Sequence, residues 1–267
     1  MYPILKFNQP LVLCSFSDQF AILEAIDMVI TTTAVAFTLL GFGLGWFGWQ
    51  FLRAFQKSST GRTSSLLGIF LSISALQNLV LGLGVLFFVE NNEALRIVMA
   101  ITQFLLSAHA VLGIYVVYYI FFPNKSRFLT LTLVSVLGFA GFILTLAENP
   151  RPFITASNGI EWAMSSTLSS LMFAILWISI GSFTYIFFKL YQDSISKRVK
   201  SFALILFWAG VAGLGSTFVR FFLFQRNPSD LGRRILDTGM GLAGVIFLIA
   251  LIVTTRKSRN KSPLKSS

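Results

Sequence analysis

The chain has 267 residues, 55% hydrophobic, 15% aromatic and only 12% charged. Soluble domains hold about 25% charged residues and keep their apolar runs short, so a soluble globular domain is excluded. The formal net charge is +11, which would suit a nucleic-acid partner if the basic residues clustered without regard to the apolar blocks.

They do not. The apolar residues fall in blocks of about 20, the length that crosses about 30 Å of hydrocarbon as a helix. When the blocks are read as alternating spans, fourteen Lys and Arg collect on one side against a single acid, Asp193. The other side has seven basic residues and nine acids. Cytoplasmic loops of multi-spanning proteins collect Lys and Arg in this way. The charge therefore orients the protein in a membrane, and no nucleic-acid partner is expected.

The start of the chain, MYPILKFNQPLVLCSF, lacks the basic run, long apolar core and small-residue site of a signal peptide. Residues 1–27 are expected outside, with Ser17 to Asp27 (SDQFAILEAID), apolar at helical spacing with acids between, read as an interfacial helix or an outer extension of the first span. Seven spans follow, at about 28–52, 64–89, 94–122, 128–147, 166–188, 201–222 and 235–255. Residues 256–267 form a basic cytoplasmic tail suited to anionic lipid. The fold expected is all-α: a polytopic seven-transmembrane-helix bundle, N-terminus outside and C-terminus inside, in the cytoplasmic membrane of a prokaryote. Between spans four and five, Pro150 and Pro152 precede two short strand-compatible runs that flank Asn158-Gly159. That dipeptide is a hairpin signal, and the hairpin should cover the outer mouth of the bundle.

Glycine lies within the spans, and all seven prolines lie outside them. Small residues three or four apart let helix backbones approach closely. Gly41-x-x-x-Gly45 could join two copies in a homodimer or pack within the chain, and internal packing is favoured.

The chemistry available at depth is narrow. No acid lies in the interior of a predicted span, Asp237 standing at the outer edge of span seven, and no lysine sits deep in one, which weighs against ion-coupled carriers and excludes a retinal Schiff base. One cysteine (Cys14) and one histidine (His109) cannot build a metal site or bis-histidine haem ligation, so neither metal nor cofactor is expected. Nor is there a catalytic constellation, and the protein is read as not an enzyme. What remains is amide, hydroxyl and imidazole: Gln77 and Asn78 in span two, with Ser74 one turn away, and Gln103, Ser107 and His109 in span three. These could form a ligand pocket near the midplane or hydrogen bonds that set helix register. A second constellation lies at the outer ends of spans six and seven, where Arg220 and Asp237 could pair and staple the two helices, the favoured reading, or Arg220 with Arg233 and Arg234 could hold an anion.

RTSSLLGIFLSISA (62–75) and KLYQDSISKRVKSFALILFWAG (189–210), within this seven-span pattern, resemble the prokaryotic seven-helix sensor modules that precede histidine kinase or cyclase domains. The resemblance implies a receptor that binds a small or hydrophobic ligand. Only a twelve-residue tail follows span seven here, so signalling would pass through a separate partner chain. The alternatives from other classes are an accessory or structural subunit of a membrane complex, and a facilitator-type transporter.

Overall fold

The computed structural model describes residues 31–57, 61–154, 160–195 and 197–219. Among them are six long helices: α1 (Thr32–Lys57), α2 (Gly61–Phe88), α3 (Asn92–Phe121), α4 (Phe128–Glu148), α5 (Ser166–Asp193) and α6 (Lys197–Phe218). All six are long and apolar enough to cross a membrane. The outward faces are apolar too: α4 exposes Leu133, Val136, Phe139, Ile143 and Leu146, and Trp46, Trp49 and Trp208 point away from the bundle. Water would oppose such a surface, whereas lipid covers it at no cost. The chain is thus an integral, multi-pass membrane protein of the helical class. The expected interfacial helix within 1–27, span seven (235–255) and the basic tail all lie outside the described residues.

The helix ends follow local chemistry. Asn91 caps α3 by accepting a hydrogen bond from the Ala94 amide at 3.0 Å, and Ser165 caps α5 through the Leu168 amide at 3.1 Å. Asn149 ends α4 in the left-handed region (φ 45°), and Pro150 cannot continue the helix. Helix α5 runs to Asp193 rather than stopping near residue 188, because neither water nor headgroups force a helix to break where the hydrocarbon ends.

The α1–α2 pair packs closest. A side chain placed on Gly41 would meet Leu79, on Gly45 would meet Ala75, on Gly48 would meet Ser72 and on Gly82 would meet Thr38, while Leu52 covers Gly68. The positions 38, 41, 45, 48, 52 and 68, 72, 75, 79, 82 alternate steps of three and four. That is the seam of an antiparallel left-handed pair, drawn tight by small residues. Gly41 and Gly45 therefore face α2 within the chain.

Helix α3 lies at the centre, in contact with α2, α4 and α5. The largest apolar cluster joins Phe47, Phe70, Val116, Phe187 and Leu206 from five helices. Two strands, β1 (Arg151–Ile154) and β2 (Ile160–Ala163), pair antiparallel with Ile154 opposite Ile160, so the hairpin forms as the flanking runs suggest; its turn lies outside the described residues. Alternation along β2 buries Ile160 and Trp162 against Ala34, Val85, Leu95, Met99, Leu168 and Met172. The hairpin thereby plugs one end of the bundle. It is fastened there by the Ile160 amide, which donates to Thr33 Oγ1 at 3.0 Å.

The opposite end carries the charge. Arg53, Lys57, Arg62, Lys125, Arg127, Lys189, Lys197, Arg198 and Lys200 lie there, with Asp193 the one described acid. Arg62 stacks on Tyr119, Lys125 on Phe122, Arg127 on Tyr115 and Lys200 on Tyr191, at 4.7 to 5.5 Å from the ring centres. Aromatic rings with basic side chains over them are the furniture of a membrane–water interface.

The seam yields a test. Gly82→Ala would drive a methyl group into the Thr38 backbone and should lower stability by about 1–3 kcal/mol. Gly181→Ala meets nothing within 4 Å and should leave stability unchanged or slightly raised, since alanine favours helix. Thermal unfolding of the two variants in detergent makes the comparison.

Candidate functional site

Most polar side chains in the bundle satisfy themselves locally. Ser72 donates to the Gly68 carbonyl, Asn78 to Ser74, Thr145 to Gly141, Thr184 to Ile180 and Thr217 to Gly213, all at 2.7 to 2.8 Å. Bonding back to the carbonyl four residues earlier is the habitual solution where hydrocarbon offers no other acceptor. Among the described residues the exceptions gather on α3, with Thr38 Oγ1 on α1 and Trp162 Nε1 on β2 also buried without a partner.

His109 is 3% exposed. Its Nδ1 lies 2.5 Å from Ser179 Oγ on α5, and its ring stacks on Phe70 of α2 with centres 4.3 Å apart and planes 18° from parallel. One residue thus joins three helices. Either tautomer serves the serine contact, since the hydroxyl can donate to a bare Nδ1 or accept from Nδ1–H. In both cases Nε2 is left without a partner. Ser182, one turn along α5, donates to the Ser179 carbonyl at 2.8 Å and packs against Gly113. A side chain at 113 would strike the Ser182 hydroxyl, so glycine here lets α3 and α5 close around the imidazole–hydroxyl contact.

Two turns nearer the hairpin, Gln103 is 1% exposed, and neither its amide nitrogen nor its oxygen has a partner. Thr102 Oγ1 is in the same condition. Gln103 packs beside Gly141 of α4 and near Ile175 of α5. Ser107 lies between the Gln103 carbonyl (2.9 Å) and the Gly138 carbonyl of α4 (3.1 Å), tying α3 to α4.

Of the expected constellation, Gln103, Ser107 and His109 all sit at helix interfaces of α3. Asn78 is buried on α2 but bonds within its own helix. The α2–α3 contacts Phe70–His109 and Gly84–Val98 run antiparallel, which places Asn78 at the height of Gln103 rather than His109. Gln77 is half-buried and on another face of α2. Arg220 and Asp237 lie outside the described residues. Sequence reasoning missed Ser179 and Phe70. Ser179 had a signal, because Ser169, Met172, Ile175, Ser179, Ser182 and Ile186 form one buried stripe at steps of three and four on α5. Phe70 had none, being one of 29 phenylalanines.

Among the described residues, no group of three His, Cys, Asp or Glu could hold a metal ion. No family model, curated protein or solved structure matches the chain.

The His109–Ser179 bond should appear in a double-mutant cycle. His109→Ala and Ser179→Ala together should show a coupling of about 0.6–1.7 kcal/mol, the range for side-chain hydrogen bonds between membrane helices. Additive effects on unfolding in detergent would mean the two groups do not interact.

Proposed function

We propose that this chain is a receptor of the sensor type, which takes a small, uncharged or hydrophobic ligand into the bundle and acts through a partner protein. One observation carries the reading. The Gln103 amide is buried with all of its hydrogen-bonding capacity unused, and Thr102 Oγ1 and His109 Nε2 are left open on the same helix. A buried polar group without a partner costs about 1–3 kcal/mol. A whole amide kept at that cost suits a ligand that supplies the missing donor and acceptor; the other unpartnered groups, such as Thr38 Oγ1 and Trp162 Nε1, are single atoms.

The ligand class follows from the surroundings. The described acids Glu90, Glu93, Glu148, Glu161 and Asp193 all stand at helix ends or in the hairpin, so nothing at depth would offset a cation. The wall around Gln103 is Gly141, Ile175 and Leu171, which favours an apolar molecule with a single polar function. Ligand engagement at Gln103 would act on α3, and α3 reaches the basic end through His109 and Ser179 on α5. The same proposal completes the topology with a seventh span. It sets the basic end in the cytoplasm of a prokaryotic cell, where the partner would dock. The resemblance to seven-helix sensor modules points the same way.

The test uses the full chain purified in mild detergent, with mass spectrometry of the small molecules that accompany it. Gln103→Leu should raise unfolding stability by about 1–3 kcal/mol, because it removes an unsatisfied amide, and should abolish co-purification of the bound molecule. A variant that is more stable and retains its passenger undiminished would refute a ligand role for Gln103. Wild-type protein that carries nothing, and is lost from the membrane when a neighbouring protein is deleted, would favour the subunit reading.

A further inference from the structure

A second site lies on the lipid-facing side of the bundle, at the hairpin end and away from His109. Between α3 and α4 runs a groove of about 360 Å³. Its floor and walls are Ile97, Ala100, Ile101, Phe104, Phe142 and Leu146. Its upper rim is polar: Glu93, Arg96 and Asn149. From Arg96 to Phe104 the groove follows two turns of helix, about 12 Å, with a charged head and an apolar body. That is the division of a lipid.

The rim has an order of charge. Among the described residues Arg96 has one acceptor, the Glu93 carboxylate, which meets Nη1. Its Nε lies beneath the surface with no partner. The Glu93 side chain is 77% exposed and that of Arg96 17%, so the carboxylate can swing outward without being left buried and unpaired, as in ion pairs that contribute little where they face outward. The pair therefore opens easily to a ligand that satisfies both members better. A phosphodiester does so for the guanidinium, which is shaped to grip phosphate oxygens. The neighbouring carboxylate would repel a head group carrying only negative charge, but would accept hydrogen bonds from an ammonium a few atoms from that phosphate.

We propose that the α3–α4 groove is a binding site for a zwitterionic phospholipid with a primary ammonium, its phosphate on Arg96, its ammonium on Glu93 and one acyl chain along Ile97, Ile101 and Phe104. Asn149 is held at the rim by its left-handed backbone at the end of α4 and adds an uncharged amide to the head-group side. The site is independent of the Gln103 reading, since it faces lipid and not the bundle interior.

Native mass spectrometry of the full chain, offered equimolar phosphatidylethanolamine, phosphatidylglycerol and phosphatidylcholine with the same acyl chains, tests the assignment. The wild type should retain one phosphatidylethanolamine preferentially. Arg96→Gln should weaken retention of all three by about tenfold, the loss of one charge-assisted contact. Glu93→Gln should reverse the preference toward phosphatidylglycerol. Ala100→Trp should fill the groove and lower retention whatever the head group, and chain-free glycerophosphoethanolamine should not compete at equal concentration. Retention equal for the three head groups in wild type, or unchanged by Arg96→Gln and Glu93→Gln in variants whose unfolding temperature is unaltered, would overturn the proposal. Lys125→Gln, at the opposite end, should leave retention unaltered.

Discussion

Hydrocarbon supplies no hydrogen-bond donor or acceptor, and that constraint governs every polar side chain in this bundle. Most serines and threonines meet it by turning back to their own helix carbonyls, which makes each helix largely self-sufficient and leaves packing to set the arrangement. Packing in turn needs close approach, because lipid gives no hydrophobic push between helices. The α1–α2 seam answers with glycine, alanine and serine along a heptad edge. Against that background a few groups do not follow the rule, Thr38 on α1 and Trp162 on β2 among them, and most of them lie on α3. His109 reaches across to Ser179, and Gln103 reaches nothing.

How much of this was written in the residues can be judged element by element. The apolar blocks marked all six described helices, and where boundaries moved, as at Asp193, the helix continued past the membrane edge into a region where composition no longer constrains it. The hairpin was legible because Asn-Gly between strand-compatible runs is a backbone signal, and its lid-like placement followed from loop length. The candidate site was half legible. A lone histidine and a buried glutamine are visible in any apolar run. Their partners are harder to see: the stripe on α5 marks the face that holds Ser179, but nothing in the chain says which helix that face meets, and Phe70 is hidden among many phenylalanines. Asn78 shows the difficulty: it shares a depth with Gln103, but the seam with α1 decides which way α2 is turned.

The two ends of the bundle are held by different physics. At one end β2 inserts Ile160 and Trp162 into the core, while Glu148 links the end of α4 to the start of α5 by accepting from the Ser165 hydroxyl at 2.5 Å and its amide at 3.2 Å. That end is bonded and plugged. At the other, cations lie over aromatic rings, contacts that tolerate sliding and need no single geometry. Tyr118 and Thr130, whose hydroxyls meet at 3.0 Å, make one of the few directional links there.

The imidazole between Phe70 and Ser179 also limits how α3 can travel along its own axis. A shift of one turn, about 5.4 Å, would bring Leu105 or Gly113 opposite the serine, and neither carries a group to meet it. Intermediate shifts would strip the ring from its stacking face before any new contact formed. The central rod of this molecule therefore has one preferred seat along its axis, set by the imidazole between Phe70 and Ser179.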